Sequence, residues 1–503
     1  MKSSNFFSSR SIFVLILLCA AINIAAPAQT YTELADFSYT TSGGYPASPL
    51  TQGLDGNFYG TAQYGGAYNL GTFFQVTPSG TLTVLHDFCF SYPWGCPDGP
   101  NDGAYPSGQI ALGVDGNFYG TTQGTYNAAY GNGTIYKITP EGSLTILYVF
   151  SLCTSNCSAF PGSGLTLARD GVFYGVSGSP LATPDAFDDL VFWISSSGTF
   201  TNLLFVCPDQ ICPTNAGPYG TLLQANAGNL IGPGPGGANG EGAIYKMTPS
   251  GTPTVLYSFC ADSTCHDGYQ TTSPLVEAPG GDFYGTNVYG GSGTHCTLAA
   301  GCGTAFRVTF DGTLTKLHDF CSWASCADGA TPNALILATD GNFYGSTPWG
   351  GTSNQGTVFS LTPSGRFTLI HTFSGTEGSR VPGPTDPPGP TTVLYQGTDG
   401  NLYGTTNTGG NGAGTIFRIS LGLPSFVRTV QNFGAVGAAV IILGNNLTGA
   451  TGVTFNGATA AFSVVSDTEI TATVPAGATT GSIQVVTAGS GTLSSNVAFV
   501  VLP

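Results

Sequence analysis

The chain has 503 residues, with 11 Lys or Arg against 27 Asp or Glu, so its formal net charge at pH 7 is −16. This balance excludes nucleic acid as a partner, because binding it depends on a basic surface. Charged residues are only 8% of the chain, while 75 residues are Gly, about twice the usual share of ~7%. The glycines recur at fixed positions of a repeat, which indicates the turns of a β protein rather than disorder.

The first 28 residues have the composition of a secretory signal peptide. Two basic residues, Lys2 and Arg10, precede an apolar stretch that ends at a small-residue cleavage site, Ala26-Pro27-Ala28. We therefore expect a mature chain that begins at Gln29 and is secreted, extracellular or on the cell surface, with the periplasm as an alternative. No later segment is long and apolar enough to predict a membrane span.

A phrase of the form DGNFYG recurs seven times between residues 50 and 420. The copies begin at Asp55, Asp115, Asp170, Ala227, Gly280, Asp340 and Asp399. Repetition at a nearly constant spacing indicates tandem supersecondary units. Each unit contains four short apolar or alternating runs bounded by turn residues, which predicts four antiparallel strands, named a, b, c and d. The Asp-Gly pair between strands a and b is expected to supply both positive φ angles of a type I′ turn.

The two ends of the repeat complement each other. The seventh unit has no strand d, whereas Thr30–Phe37 (TYTELADF) matches the strand-d segment Thr81–Phe88 (TLTVLHDF). The sequence thus predicts an all-β fold in which residues 29–421 form a seven-bladed β-propeller closed by an N-terminal strand. A β-helix is the main alternative, but its coils need far fewer residues than these units contain.

Twelve cysteines follow the leader, and they fall into six neighbouring couples. An even count in an exported chain predicts disulfides. The couples are Cys89 with Cys96, Cys153 with Cys157, Cys207 with Cys212, Cys260 with Cys265, Cys296 with Cys302, and Cys321 with Cys326. No couple has the two-residue gap of a zinc knuckle, so we predict no metal and no cofactor. All six couples fall in b–c or d–a connections, which places them on one face of the propeller with the longest loops.

Four aromatic residues in these loops are the predicted ligand contacts: Tyr92, Trp94, Trp323 and Trp349. Aromatic side chains on clamped polar loops can stack on sugar rings. The alternative that they fill gaps between loops stays open.

Catalytic residues are not predicted. His86, His318 and His371 recur at one position of strand d, which favours a structural role. Two loop groups remain as alternatives, an acid–base or metal site and a calcium site. They are His266, Asp267 and His295 for the first, and Asp185, Asp188 and Asp189 for the second.

The repeat resembles the GloVer tandem repeat of bacterial exported and surface-attached proteins, through DGNFYGTT, the GG that follows, and strands such as GTIFRI and GTVFSL before TPSGTLTVLH. The resemblance covers residues 30–420 and brings no catalytic residues. Residues 424–503 resemble the IPT/TIG domain in VIILGNNLTGATGVTFNG, SDTEITATVPAGATTGSIQVV and NVAFVV. That resemblance implies an immunoglobulin-like β-sandwich that serves as a spacer or accessory module.

The predicted function is a non-enzymatic binding or adhesion protein of the cell exterior that recognises glycan or another surface polymer. One alternative is an extracellular polysaccharide-cleaving enzyme, a lyase or hydrolase, on a propeller scaffold. The other is a structural surface-layer component that binds no ligand. No motif of the sequence specifies the ligand or the oligomeric state.

Overall fold

A computed structural model describes residues 29–46, 48–89, 102–124, 132–150, 161–177, 190–205, 220–234, 236–260, 262, 264–271, 274–374, 377 and 393–503. Their structure is all-β, apart from two single-turn 3-10 helices at Ala324–Cys326 and Leu447–Gly449. Within these ranges there is no apolar helix of membrane-spanning length.

Between residues 30 and 420, the described strands form seven antiparallel sheets, numbered I to VII in the order of the repeats. Sheet I contains β2 (Gly44–Pro46), β3 (Thr51–Gln52), β4 (Phe58–Tyr64), β5 (Thr72–Val76) and β6 (Leu82–Asp87). Sheet II contains β7 (Pro106–Leu112), β8 (Phe118–Gly124), β9 (Asn132–Ile138) and β10 (Leu144–Val149). Sheet III contains β11 (Thr166–Leu167), β12 (Phe173–Ser177), β13 (Leu190–Ile194) and β14 (Phe200–Phe205).

The remaining sheets repeat this order. Sheet IV contains β15 (Leu223–Gln224), β16 (Leu230–Gly234), β17 (Ala243–Met247) and β18 (Pro253–Ser258). Sheet V contains β19 (Val276–Glu277), β20 (Phe283–Asn287), β21 (Thr304–Val308) and β22 (Leu314–Asp319). Sheet VI contains β23 (Ile336–Leu337), β24 (Phe343–Thr347), β25 (Thr357–Leu361) and β26 (Phe367–Thr372). Sheet VII contains β27 (Tyr395–Gln396), β28 (Leu402–Thr406), β29 (Thr415–Ser420) and β1 (Thr30–Asp36).

Strand β1 from the start of the chain is the outer strand of the last sheet. It runs antiparallel to β29, with Thr30 opposite Ser420 and Asp36 opposite Thr415. Its position in sheet VII is the one that β6 has in sheet I, so the strand-d sequence at the N-terminus lies where strand d belongs.

The Phe and Tyr of the repeated phrase pack between successive sheets. The ring of Tyr59 in sheet I lies 4.4 Å from that of Phe118 in sheet II, measured between centroids. The same contact joins the last sheet to the first, because the ring of Tyr403 lies 4.1 Å from that of Phe58. All four rings are at most 1% exposed. Each junction between neighbouring sheets is therefore an apolar core, including the junction of sheets VII and I.

Antiparallel strands divide the connections between two faces. The turn face carries the a–b and c–d turns, and the loop face carries the b–c and d–a connections. On the turn face, Gly80 of a c–d turn has φ 101° and comes so close to sheet VII that a Cβ there would lie 2.5 Å from the carbonyl oxygen of Leu34 in β1. Glycine is thus required both by the backbone and by the neighbouring strand d.

The a–b turn differs from the type I′ turn predicted above. Only Gly56 has a positive φ (80°), and Asp55 does not. Gly56 N–H donates to Gly53 O at 3.1 Å and Gly53 N–H donates to Asn57 O at 2.8 Å, which defines a three-residue turn that ends on a left-handed glycine. The Asp55 carboxylate then accepts hydrogen bonds from Asn57 N–H at 3.1 Å and from the Tyr59 hydroxyl at 2.9 Å.

Amide side chains of strand a link the sheets on the turn face. Gln52 accepts a hydrogen bond from Thr398 N–H of sheet VII at 3.1 Å and donates to Gly56 O of its own turn at 3.2 Å. The same bond to the preceding sheet is made by Gln224 with Arg169 N–H, Glu277 with Asn226 N–H, and Gln396 with Thr339 N–H. This connection was not predicted from the sequence.

Residues 428–502 form a separate set of strands, which we call the tail. They are β30 (Arg428–Thr429), β31 (Phe433–Ala435), β32 (Ala439–Leu443), β33 (Ala450–Phe455), β34 (Ala458–Thr459), β35 (Phe462–Val464), β36 (Glu469–Thr473), β37 (Ile483–Thr487), β38 (Gly491–Ser494) and β39 (Val500–Leu502). Two sheets have the orders β30-β32-β36-β35 and β34-β33-β37-β38, and β31 pairs with β39. Their buried side chains form one core that includes Val440, Ile470 and Val485.

The tail contacts the turn face. The Thr468 hydroxyl donates to Leu54 O of sheet I at 2.7 Å, and Asn445 Nδ2 donates to Thr398 Oγ1 of sheet VII at 2.7 Å. The guanidinium of Arg428 lies 4.5 Å from the ring centroid of Tyr395. These contacts all involve strand a or its turn, so the tail lies on the face opposite the long loops.

Candidate functional site

The loop face is built on one strained backbone position in the d–a connections. Among the non-glycine residues with left-handed φ angles in these connections, four occupy equivalent positions and have φ between 53° and 58°, which L-amino acids rarely adopt. Each donates its N–H to a carbonyl in the b–c loop of the preceding sheet. The pairs are Tyr45 to Ala413, Tyr105 to Leu70, Gln270 to Glu241 and Thr331 to Cys302. These bonds fix the inner rim of the loop face, and strain held by the surrounding structure is common at functional sites.

The histidines of strand d hold carboxylates at the base of the d–a loops. His318 Nε2 lies 3.1 Å from Asp328 Oδ2, and the fully buried Asp328 carboxylate also accepts backbone N–H bonds from Ser322 and Trp323. His86 and Asp102 make the same contact at 2.7 Å.

Other sheets vary this pair. His371 lies 3.4 Å from Glu377, and burial lowers the pKa of His371. In sheet IV the strand-d partner is a tyrosine, because the Tyr257 hydroxyl donates to Asp267 at 2.9 Å. The contact thus shapes the base of the loop whichever residue strand d supplies.

The group His266, Asp267 and His295 does not share a contact. Asp267 accepts from Tyr257 and from Cys260 N–H. His266 faces Asp262 at 4.0 Å, and His295 Nδ1 lies 3.1 Å from Thr294 Oγ1. The hypothesis of an acid–base or metal site formed by these three residues is therefore not supported. Asp185, Asp188 and Asp189 lie outside the described residues.

Three of the six cysteine couples are disulfides in the described loops. They are Cys260–Cys265, Cys296–Cys302 and Cys321–Cys326, with Cα–Cα separations of 4.1, 5.7 and 4.0 Å. Cys89 is also disulfide-bonded, but its predicted partner Cys96 lies outside the described residues.

The other two predicted couples fall entirely outside the described residues. Cys153 and Cys157 belong to the connection after sheet II, and Cys207 and Cys212 belong to the connection after sheet III. The predicted disulfide between Cys153 and Cys157 and the one between Cys207 and Cys212 therefore stay predictions.

The four aromatic residues predicted to contact a ligand have different outcomes. Trp323 is 43% exposed, and its ring meets that of Phe367 edge to face at 5.5 Å. Trp349 packs against the buried cluster that includes Cys302. Both contacts favour the gap-filling alternative, although Trp323 keeps an exposed edge. Tyr92 and Trp94 lie outside the described residues.

A row of four tyrosines crosses the loop face from sheet VII to sheet II. The ring centroids of Tyr39 and Tyr45 are 6.3 Å apart, those of Tyr45 and Tyr64 are 5.6 Å apart, and those of Tyr64 and Tyr105 are 5.3 Å apart. Tyr39 is 41% exposed and Tyr45 is 38% exposed. Burial raises the pKa of Tyr39 and of Tyr105, so both hydroxyls stay protonated at neutral pH and can donate as well as accept hydrogen bonds.

Two amides accompany the tyrosine row. Gln63 Nε2 donates to Gln123 Oε1 at 3.3 Å across the junction of sheets I and II. Gln63 directly precedes Tyr64 at the end of β4, and both side chains are partly exposed. Aromatic faces beside amide donors and acceptors form a surface that fits a ligand with apolar ring faces and many hydroxyls.

The sequence carried a signal for this row that was missed. Tyr64, Tyr289 and Trp349 occupy one register, the sixth residue after the Phe of FYGTAQY, FYGTNVY and FYGSTPW. Trp349 thus follows the repeat instead of departing from it. Tyr45 and Tyr105 both precede a proline at the start of a unit. Aligning the units beyond strand b would have placed these aromatics on one rim.

Three solved structures to which this protein is similar have low sequence identity to it. A putative gluconolactonase is 11% identical, with 79% of this chain and 94% of that chain covered and a TM-score of 0.37. PorZ, a surface component of the type-IX secretion system of Porphyromonas gingivalis, is 13% identical, with 89% and 58% covered and a TM-score of 0.43. The α-L-arabinanase of Penicillium chrysogenum is 13% identical, with 63% and 93% covered and a TM-score of 0.42. No curated protein sequence matches the chain.

One family model matches the sequence three times, over residues 21–182, 188–385 and 294–463. The matches together span most of the chain and include every copy of the repeated phrase. The chain belongs to the family described by the Gloeobacter/Verrucomicrobia repeat.

Proposed function

We propose that the protein is an exported, non-enzymatic binding protein that recognises a glycan or another extracellular polymer on its loop face. The single observation that carries this proposal is the row of Tyr39, Tyr45, Tyr64 and Tyr105, of which Tyr39 and Tyr45 are exposed. Gln63 and Gln123 lie beside it. Stacking of tyrosine on sugar rings buries the apolar ring faces, while the hydroxyls and amides bind the sugar hydroxyls.

The architecture that presents this face is, in our proposal, a closed seven-bladed β-propeller over residues 29–421. Three observations support closure: β1 pairs with β29, Tyr403 packs on Phe58, and the turn of Gly80 packs on Leu34 of β1. A closed ring leaves no sheet edge free between the first and last repeat. Residues 424–503 would form an IPT/TIG-type immunoglobulin-like sandwich, which is supported by the two four-stranded sheets around one core.

Export is proposed from the leader at residues 1–28, which lies outside the described residues. The disulfides support an oxidising location, because such bonds persist mainly outside the cytosol. The tail contacts only the turn face among the described residues, so it leaves the tyrosine row open to a polymer in solution.

The test is a glycan array with the purified protein, followed by calorimetric titration of each hit. We expect Tyr39→Ala and Tyr45→Ala to weaken binding about tenfold or more, as is usual for aromatic anchors. The matched control is Phe310→Ala, since Phe310 is 37% exposed but lies in a c–d turn on the turn face. It should bind as the unchanged protein does.

Further variants separate the ring from the hydroxyl. Tyr39→Phe should keep most of the affinity if stacking dominates and lose it if the hydroxyl does. Equal binding by both alanine variants and the control would overturn the tyrosine site. Release of reducing ends from a glycan hit would show that the protein cleaves the glycan and would overturn the non-enzymatic proposal. Trp94 and Trp323 remain proposed contacts on the same face, with Tyr92 and Trp349 as secondary candidates.

A further inference from the structure

Two disulfides lie side by side on the loop face. Cys296–Cys302 closes the b–c loop of sheet V, and Cys321–Cys326 closes the d–a connection to sheet VI. The Sγ atoms of Cys296, Cys302 and Cys321 all lie within 4.8 Å of one another. One sulfur of the second couple therefore lies beside both sulfurs of the first, which the spacing within each couple does not reveal.

The cluster is partly shielded from water. Cys302 is 2% exposed and Cys321 is fully buried. Ala330 and Trp349 pack against them and form one apolar wall. Cys296 and Cys326 are more accessible, so one sulfur of each disulfide is open to a reductant while the other is enclosed.

Backbone hydrogen bonds hold the two loops together independently of the disulfides. His295 N–H donates to Cys321 O at 2.9 Å, and Thr331 N–H donates to Cys302 O at 2.8 Å. Cys321 N–H donates to Gly329 O at 3.1 Å within its own loop. These three bonds join backbone atoms and do not require the S–S bonds.

We propose that this cluster is a redox-gated site for a thiophilic metal ion such as Zn²⁺. When both disulfides are reduced, Cys296, Cys302, Cys321 and Cys326 provide four thiolates. A tetrahedral zinc site with Zn–S bonds of about 2.3 Å places its sulfurs roughly 3.8 Å apart. The Sγ atoms of Cys296, Cys302 and Cys321 already lie within 4.8 Å of one another, and Cys326, which is bonded to Cys321 in the oxidised protein, supplies the fourth sulfur after reduction. In the oxidised protein the sulfurs are bonded in pairs and the site is closed to metal.

Each disulfide accepts two electrons and two protons from one dithiol, which becomes a disulfide, and the chain gains two thiols. Zn²⁺ then displaces the thiol protons as it binds. A trialkylphosphine performs the same reduction in vitro: water supplies the oxygen atom of the phosphine oxide and the two thiol protons.

The experiment titrates the full protein with Cd²⁺ after phosphine reduction, reading thiolate-to-cadmium absorption and the mass of the native complex. We expect one tightly held ion per reduced chain and none in the oxidised chain. The variant Cys302→Ser/Cys321→Ser should weaken binding of this ion at least about tenfold. The matched control Cys260→Ser/Cys265→Ser removes a couple that is not part of the cluster, and it should retain the ion.

Circular dichroism of the reduced, metal-free chain accompanies the titration. Native-like spectra with metal bound at the four-cysteine cluster support the proposal. Absence of binding, equal loss in the two double variants, or unfolding on reduction that prevents binding would each overturn it.

Discussion

The two faces of the repeat array use carboxylates in different ways. On the turn face, Asp55 accepts from Asn57 and Tyr59, and the same set recurs around Asp115, Asp340 and Asp399 with nearly the same distances. On the loop face, the carboxylate recurs at Asp102, Asp267 and Asp328, but its strand-d partner changes between His and Tyr. The turn-face aspartate determines an entire turn, whereas the loop-face aspartate determines only the base of a loop.

This difference assigns stability to the turn face and recognition to the loop face. In the turns with the complete set, the Asp, Asn and Tyr side chains are committed to hydrogen bonds with one another, which restricts variation there. The tail also occupies part of that face. A loop that is fixed at its base can change its tip without loss of the sheet beneath it, and variable loops on rigid scaffolds carry binding.

The largest effect is expected from deletion of residues 29–38, which removes β1. The edge of β29 becomes free, and the fully buried Phe37 is lost from the core between sheets VII and I. Loss of that ring alone is worth roughly 3–5 kcal/mol, so the melting temperature should fall sharply. The control is truncation after Leu421, which removes the tail but keeps every repeat strand. Unchanged melting after the N-terminal deletion would contradict closure by β1.

Asp328→Ala tests the loop-face anchor. It leaves the N–H groups of Ser322 and Trp323 without the carboxylate in a buried site, which should lower the free energy of unfolding by about 2–3 kcal/mol. Asp55→Ala is the matched change on the turn face, where the aspartate is exposed, and about 1 kcal/mol is expected. Chemical denaturation of both variants measures the contrast, and equal losses would refute it.

Arg428→Ala tests the attachment of the tail. It removes the guanidinium from the ring of Tyr395 and the hydrogen bond to Gln396 O at 3.1 Å, contacts worth about 1–2 kcal/mol together. In calorimetry of the variant, the tail should unfold in a separate transition at a lower temperature than the repeats. Exposed Arg366, in a c–d turn of sheet VI, provides the control Arg366→Ala, and the same shift in both variants would show that the effect is general charge.

Glu277→Gln should have the smallest effect on the free energy of unfolding, and the size of that effect depends on pH. Burial raises the pKa of Glu277, so its contribution to stability is fully present below the ordinary value of 4.5 and is lost as pH rises through the pKa of the folded state. Glutamine stays neutral and occupies this position in sheet IV as Gln224, whose Nε2 donates to Gly228 O at 3.2 Å.

The variant should therefore be more stable at pH 7 by less than about 1 kcal/mol, and this gain should shrink towards pH 4. Thermal melts across this range give the curve. The reverse exchange, Gln224→Glu, should show the opposite trend. Melting curves that remain parallel at all pH values would exclude the titration of Glu277 as the cause.

The sequence predicted the parts of this structure that depend on periodicity. Strand order and the match of Thr30–Phe37 to strand d both follow from comparing units. The type I′ turn was wrong because a dipeptide rule considers two residues, whereas the hydrogen bonds of Gly53 and the side chain of Asp55 select a three-residue turn.

The candidate site was harder to predict. Trp349 was predicted as a ligand contact, yet it lies in the register that Tyr64 and Tyr289 occupy in other repeats. The tyrosine row depends on contacts between residues from three sheets, and the left-handed backbone at Tyr45 and Tyr105 has no marker in residue type. The clustering of Cys296, Cys302 and Cys321 likewise depends on which loops are neighbours in space.

The pairing of β1 with β29 also imposes an order of events on folding. Thr30 is among the first residues of the structured chain to be synthesised, and its partner Ser420 follows all seven repeats. The bond from Thr398 N–H to Gln52 likewise joins residues 346 positions apart. Contacts of such sequence separation form slowly because the intervening chain must first be ordered. Sheets II to VI can form from local hairpins while sheet VII remains incomplete, so we expect the joining of the two chain ends to be the final step of folding.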